Sequence, residues 1–158
     1  MAQAVAGVLE HGGVKAAHVV GLSVSGMIAQ TLAIKHPNLV DSLTLVSTRS
    51  MFPVVGRQAM LELAEMARET LLLQDKDFHA SMWEMISTFD VTSQLHNIKC
   101  PTMVVIGAAD LQANQEAGRE LAGKIPGAIR HEISDAGHLP PVQTPVQFNT
   151  LLRSFLAS

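Results

Sequence analysis

The stretch "HVVGLSVSGMIAQ", His18 to Gln30, decides how the rest of the chain is read. "HVVGL" is a short β-branched run, expected to be a parallel strand buried on both faces. From Met27 to Lys35 the pattern is helical, and Pro37 stops it. Between them lies Gly21-Leu22-Ser23-Val24-Ser25-Gly26. A serine at such a junction occupies a sharp turn that exposes its hydroxyl at the carboxyl end of a sheet. Small neighbours are needed there because the strand and helix backbones pass close together. The usual pattern is G-x-S-x-G; here Ser25 replaces the second glycine, and Gly26 follows. The competing reading is a glycine-rich packing turn. Placement between strand and helix favours a nucleophile at Ser23.

Working outward, alanine, valine and leucine recur at helical spacing over residues 2–10, and Gly12-Gly13 end that helix. Ser42 to Thr48, "SLTLVST", reads as a second strand. Residues 56–73 and 77–88 read as two helices, the first with Met60, Leu63, Ala64 and Ala67 along one face. Thr102 to Gly107, "TMVVIG", is a third strand introduced by Pro101. A helix over about 115–124, a fourth strand in "AIRHEIS" and a closing helix from Val146 to Leu156 complete the pattern. Strands alternating with helices imply an α/β fold, about four parallel strands flanked by helices. The helical, methionine-rich block 49–98 interrupts the pattern as an insertion between two strands, leaving 1–48 and 99–158 as the core.

Bulk composition narrows the function classes. The chain has 158 residues, 47% hydrophobic and 16% charged, which suits one folded domain burying about 70% of its unfolded surface. Eleven basic and fourteen acidic residues give a net charge of −3. No basic cluster suggests nucleic acid or an anionic membrane as a partner. "MAQAVAGVLEHGGV" has no basic leader segment, so no signal peptide is expected, and no run approaches the length of a membrane span. The single cysteine, Cys100, fits the cytoplasm and reads as packing at a strand entry.

A nucleophilic serine needs a base, and the base an orienting acid. "VVIGAAD" puts Asp110 just beyond the third strand; "SDAGHLP" puts His138 just beyond the fourth. Both loops open at the carboxyl end of the sheet, where Ser23 emerges, and the order Ser, Asp, His suits this turn type. A helix cap or solvated carboxylate for Asp110, and a loop histidine for His138, are the alternatives for each alone. Asp135 also lies near His138 but precedes the loop's glycine and is the poorer acid.

These segments, "HVVGLSVSGMIAQTLAIKHPNLVDSLTLVST", "IKCPTMVVIGAAD" and "IPGAIRHEISDAGHLPPVQTPVQFNTLLRSFL", resemble the C-terminal part of an α/β-hydrolase, close to the esterase and oxoadipate enol-lactonase-like branch. The resemblance implies a Ser23/Asp110/His138 triad acting on small esters or lactones through an acyl-enzyme, without a cofactor. It implies that 49–98 is a short helical cap. It also implies an N-terminally truncated member, since such enzymes carry four strands and a large helix before the serine turn. The Val24 backbone N–H would then be one oxyanion donor, with no second donor placed. "HGG" at His11 to Gly13 imitates an oxyanion motif but follows a helix, and reads as a helix end.

Seven histidines raise a second possibility. His11, His18, His36 and His96 fall where helices end or strands begin, opposite the triad, and read as solvated. His79 lies in the cap and His131 in the fourth strand. No H-x-x-x-H or C-x-x-C spacing occurs. Asp110 and His138 could nonetheless hold zinc or manganese in a metal-dependent hydrolase of esters or phosphoesters. A non-enzymatic oligomerising fragment is the third reading. In each, an apolar sheet edge at "HVVGL" calls for a homodimer or higher homo-oligomer.

Overall fold

The computed structural model describes residues 1–52, 61, 62, 65 and 76–158. They form two compact units, Met1–Ser50 with Val91–Ser158, and Met51–Asp90. The first unit is built on a four-stranded sheet in the order β1 (Ala17–Leu22), β2 (Val40–Val46), β3 (Thr102–Gly107), β4 (Ile129–Ile133). Every pairing is parallel, as the alternation of strands and helices predicts. The helices of this unit are α1 (Ala2–His11), α2 (Val24–Lys35), α4 (Gln112–Lys124), α5 (Pro140–Gln143) and α6 (Pro145–Leu156). Helix α3 (Lys76–Thr88) belongs to the second unit.

β2 and β3 are the inner strands. Every residue of β3 is buried, and in β2 all except Asp41, as strands covered on both faces must be. The expectation that "HVVGL" is likewise buried on both faces does not hold. β1 lies at the sheet edge, where His18 is exposed and Val20 is 46% exposed. A β-branched run has the same composition at the centre and the edge of a sheet; what lies beside it decides its burial.

Side chains alternate across a strand, and the two faces have different helices. Met103 and Val105 join Val46, Ile133, Ala136 and Phe148 in one cluster, with Leu22, Leu151, Leu152 and Phe155 packed against it. Phe148, Leu151, Leu152 and Phe155 are spaced i, i+3, i+4, i+7, the stripe by which α6 lies on the sheet. Val104 and Ile106 face the opposite way, toward α4. Gly118 sits there so closely that a Cβ on it would lie 2.7 Å from Ile106. Leu43, Leu45 and Ile106 are almost wholly buried, each burial contributing about 1.5–3 kcal/mol. The strand ends that carry the site therefore project from the most firmly packed part of the sheet.

Helix α1 ends at "HGG" as read from the sequence. The Gly12 N–H donates to Val8 O, the Val14 N–H to Leu9 O, and Gly13 adopts φ 67°, a left-handed helix end. Where the first unit is interrupted, the Val91 N–H donates to Ser50 O at 2.9 Å. In the second unit Met51 and Asp90 form an antiparallel bridge. The face proposed for Met60, Leu63, Ala64 and Ala67, and the His79 side chain, lie outside the described residues. Among the described residues no helix is long and apolar enough to cross a membrane.

Candidate active site

Ser23 stands between the last residue of β1 and the first of α2. Its backbone is at φ 53°, ψ −119°, a conformation costing about 1–3 kcal/mol for a non-glycine residue. The surroundings hold it there. Its N–H donates to Val46 O at 2.9 Å, and its carbonyl accepts from the Thr48 hydroxyl at 2.6 Å and the Gly26 N–H at 3.0 Å. Glycine is required on either side because of close approach: a Cβ on Gly21 would lie 2.6 Å from Gly26 Cα, and one on Gly26 would lie 2.6 Å from the Thr48 side chain. Ser25, the departure from the usual pattern, has its own function. Its hydroxyl donates to Leu22 O at 2.7 Å and accepts from the Leu22 N–H at 2.9 Å, closing the turn.

Asp110 follows β3. Its N–H donates to Gly107 O, while the Gln115 side-chain amide donates to both Ala108 O and Asp110 O. His138 follows β4, and its loop passes directly over the end of β3: a Cβ on Gly107 would lie 2.0 Å from Gly137 O. Gln143 Oε1 accepts the N–H groups of Gly137 and Leu139, the two neighbours of His138, at 2.9 and 3.1 Å. One side chain thus pins the histidine's backbone from both sides.

These three loops bring together Ser23, Asp110 and His138, the residues the sequence singled out. His138 Nε2 lies 3.1 Å from Ser23 Oγ, and His138 Nδ1 lies 2.9 Å from Asp110 Oδ2. An ionised carboxylate can only accept, so Nδ1 carries the ring proton and Nε2 presents its lone pair to the serine hydroxyl. The Asp110 side chain is 2% exposed and that of His138 is 41%. The carboxylate is sealed from water while the imidazole is open to solvent.

Burial pushes the Asp110 carboxyl toward higher pKa, but the hydrogen bonds from Asn114, His138 and the Leu111 N–H, with the histidine's charge, outweigh it. The net direction is below the ordinary carboxylate value, and Asp110 is ionised at neutral pH. Burial lowers the Arg49 guanidinium while the charge of Asp110 opposes that fall. Burial raises the Cys100 thiol, which leaves it a poor nucleophile.

Asp135 is exposed on the turn before the histidine loop, outside the hydrogen-bonded chain. His11, His18 and His96 are exposed; His36 and His131 are half-buried. His18 Nδ1 is 2.9 Å from Ser42 Oγ. Among the described residues no group of three or more His, Cys, Asp or Glu side chains comes together as a metal site. Asp110 and His138, the ligands considered for zinc or manganese, are engaged with each other. The Asp110 oxygen that does not face the histidine also accepts from the Leu111 N–H and the Asn114 amide.

Sequence reasoning missed the residues around the triad: Thr48, Arg49, Asn114 and Gln143. Asn114 offered one readable signal, standing four residues after Asp110 at the start of a helix, hence beside it.

Residues 1–82, just over half of the chain, match the alpha/beta hydrolase fold family. The protein BpoC of Mycobacterium tuberculosis is 30% identical over 90% of this chain and 68% of its own length. The pimeloyl-[acyl-carrier protein] methyl ester esterase of Chromobacterium violaceum is 30% identical over 78% of this chain and 63% of its own. Among solved structures, the enol-lactonase of Burkholderia xenovorans LB400 superposes with a TM-score of 0.83 at 27% identity, over 99% of this chain and 72% of that one.

Proposed function

We infer that this chain, which belongs to the α/β-hydrolase fold family and carries its esterase- and lactonase-type triad geometry, hydrolyses small carboxylic esters or lactones through an acyl-enzyme on Ser23. The observation that carries the reading is the unbroken path from Ser23 Oγ through both ring nitrogens of His138 to Asp110. In the first half-reaction Ser23 Oγ attacks the carbonyl carbon while His138 Nε2 takes its proton. The imidazolium so formed is stabilised by Asp110, and it returns the proton to the departing alkoxide. Water then repeats the sequence on the acyl-enzyme, with His138 as base and Ser23 as leaving group.

We assign the Val24 N–H as an oxyanion donor. Val24 is the first residue of α2, and the first N–H groups of a helix have no partner within it. Residues 49–98 we read as a short helical cap insertion. The single cysteine is our ground for placing the protein in the cytoplasm. The methyl ester esterase and the enol-lactonase among its relatives support an ester or lactone as substrate.

The test is a short-chain aryl ester assay with a fluorophosphonate and, separately, EDTA. Labelling of Ser23 should remove activity in proportion, and chelation should leave it unchanged. Turnover of a phosphodiester that needs added zinc or manganese and survives complete labelling would overturn the reading in favour of a metal-dependent hydrolase.

The protein should also be a homodimer. β1 is hydrogen-bonded on one side only among the described strands, with Val20 46% and Val14 39% exposed. Apolar strand edges of this kind associate unless covered, and a two-fold pair is the commonest closed solution. Light scattering at micromolar concentration should give about twice the chain mass of 16.9 kDa. A monomer of undiminished stability would contradict this.

A further inference from the structure

The two oxygens of Asp110 have different partners. Oδ2 faces His138 Nδ1, whereas Oδ1 accepts from the Leu111 N–H at 2.7 Å and from Asn114 Nδ2 at 2.8 Å. A terminal carboxylate rotates in a broad two-fold well, so the direction of Oδ2 is set by what grips Oδ1. The Leu111 N–H is one residue away and travels with the Asp110 backbone. Asn114, on the first turn of α4, is the side chain that holds the carboxylate from outside its own loop.

An amide offers a donor at one end and an acceptor at the other, so Asn114 can grip a carboxylate only in one of its two orientations. Arg49 makes the choice. Its Nη2 donates to Asn114 Oδ1, and a guanidinium has donors but no acceptor. The amide oxygen must therefore face Arg49, which leaves the NH2 group for Asp110. Arg49 is in turn held by its carbonyl, which accepts from Gln30 Nε2 at 3.0 Å. Gln30 also donates to Gly26 O at 3.1 Å and is wholly buried in α2, the helix that begins beside Ser23. A circuit of hydrogen bonds thus runs from the helix behind the serine, through Arg49 and Asn114, to the acid.

We propose that Asn114 is the positioning residue of the catalytic acid, its amide oriented by Arg49 so that Asp110 presents Oδ2 to His138. The inference rests on the triad reading above. Asn114 does not reach Ser23 Oγ or His138 Nε2. Its Nδ2 lies 2.8 Å from Asp110 Oδ1 and 3.3 Å from His138 Nδ1, which already donates to Asp110, so it acts through the carboxylate. Asn114→Ala frees the carboxylate to turn away from the ring. Because an ångström of misplacement costs up to about 100-fold, kcat should fall about 10- to 100-fold while KM changes less than about twofold.

Asn114→Asp separates this function from the filling of space, since it has the same shape and size but cannot donate. It should lose at least as much kcat as Asn114→Ala. Arg49→Met should also lower kcat. Combined with Asn114→Ala it should cost little more than Asn114→Ala alone, because both act through one bond. Each variant is compared by circular dichroism melt and by the rate at which a fluorophosphonate labels Ser23, which should fall in step with kcat. If either Asn114 variant folds and keeps kcat within about twofold of wild type, the proposal is overturned. Fully additive losses from Arg49→Met and Asn114→Ala would overturn the part assigned to Arg49. Ser23→Ala, run alongside, distinguishes the two levels: an active Ser23→Ala rejects the triad itself, whereas an inactive one beside normal Asn114 variants rejects only this inference.

Discussion

Ser23→Ala should reduce carboxylester hydrolysis about 10⁴-fold or to the buffer background, with an unchanged circular dichroism spectrum. Loss of the nucleophilic hydroxyl removes the covalent route. Removing a triad member in a serine hydrolase leaves the rate supplied by the oxyanion hole and substrate binding alone, about 10³- to 10⁴-fold over water. The fold should survive, because the contacts that pin residue 23 are made by its backbone: the N–H to Val46 O, and the carbonyl to Thr48 and Gly26. Alanine retains all three. The hydroxyl's bond to His138 is partly exposed and contributes about 1 kcal/mol or less. Turnover of a short-chain aryl ester by purified protein measures the effect. Near-parental activity in a folded variant would exclude Ser23 as nucleophile.

The parts of the site that sequence made legible are those with a local physical cause. The junction at Ser23 was readable because a β-branched run, a turn of small residues and a helix must occur in that order for the backbone to make the bend. Asp110 and His138 were readable because each follows a strand, and all parallel strands end at the same edge. Thr102 to Gly107 was bounded by Pro101 on one side and by a change in polarity on the other, and the strand is found over those residues.

What was illegible depends on partners distant in sequence. Arg49 and Asn114 are 65 residues apart, and no periodicity connects a residue after β2 with one on α4. Gln143 pins the histidine loop through two backbone N–H groups, a function that any polar residue in a short helix could be guessed to have or lack. The exposure of β1 had the same origin. Valines at 19 and 20 are equally suited to an inner or an outer strand. The run was expected to form a sheet edge, and among the described strands β1 is hydrogen-bonded on one side only, but the exposure of its side chains was not foreseen. Short helix α5, opened by Pro140 and Pro141, falls below the length at which apolar spacing can signal a helix.

Asp110→Asn should cost about 10⁴-fold in kcat, the magnitude seen when a triad acid is replaced by its amide, and the surroundings of Asp110 explain why the substitution is so damaging here. The Oδ1 position receives two donors, the Leu111 N–H and Asn114 Nδ2, so it must remain an oxygen. The new NH2 group is therefore forced into the Oδ2 position, facing His138 Nδ1. Nδ1 must then accept, the ring proton moves to Nε2, and the nitrogen facing Ser23 can no longer take its proton. The same variant should alter stability against pH in a defined direction. The Asp110 pKa is depressed on folding, so its ionised form stabilises the fold in full above the unfolded carboxylate value near about 3.9. That contribution is lost as pH falls from there through the folded pKa. Wild type should thus lose melting temperature as pH falls below about 4 more steeply than Asp110→Asn, which has no carboxylate to protonate at this position. Thermal melts across that range, paired with ester kinetics at neutral pH, test both halves. A folded Asp110→Asn protein within tenfold of wild-type kcat would remove Asp110 from the triad.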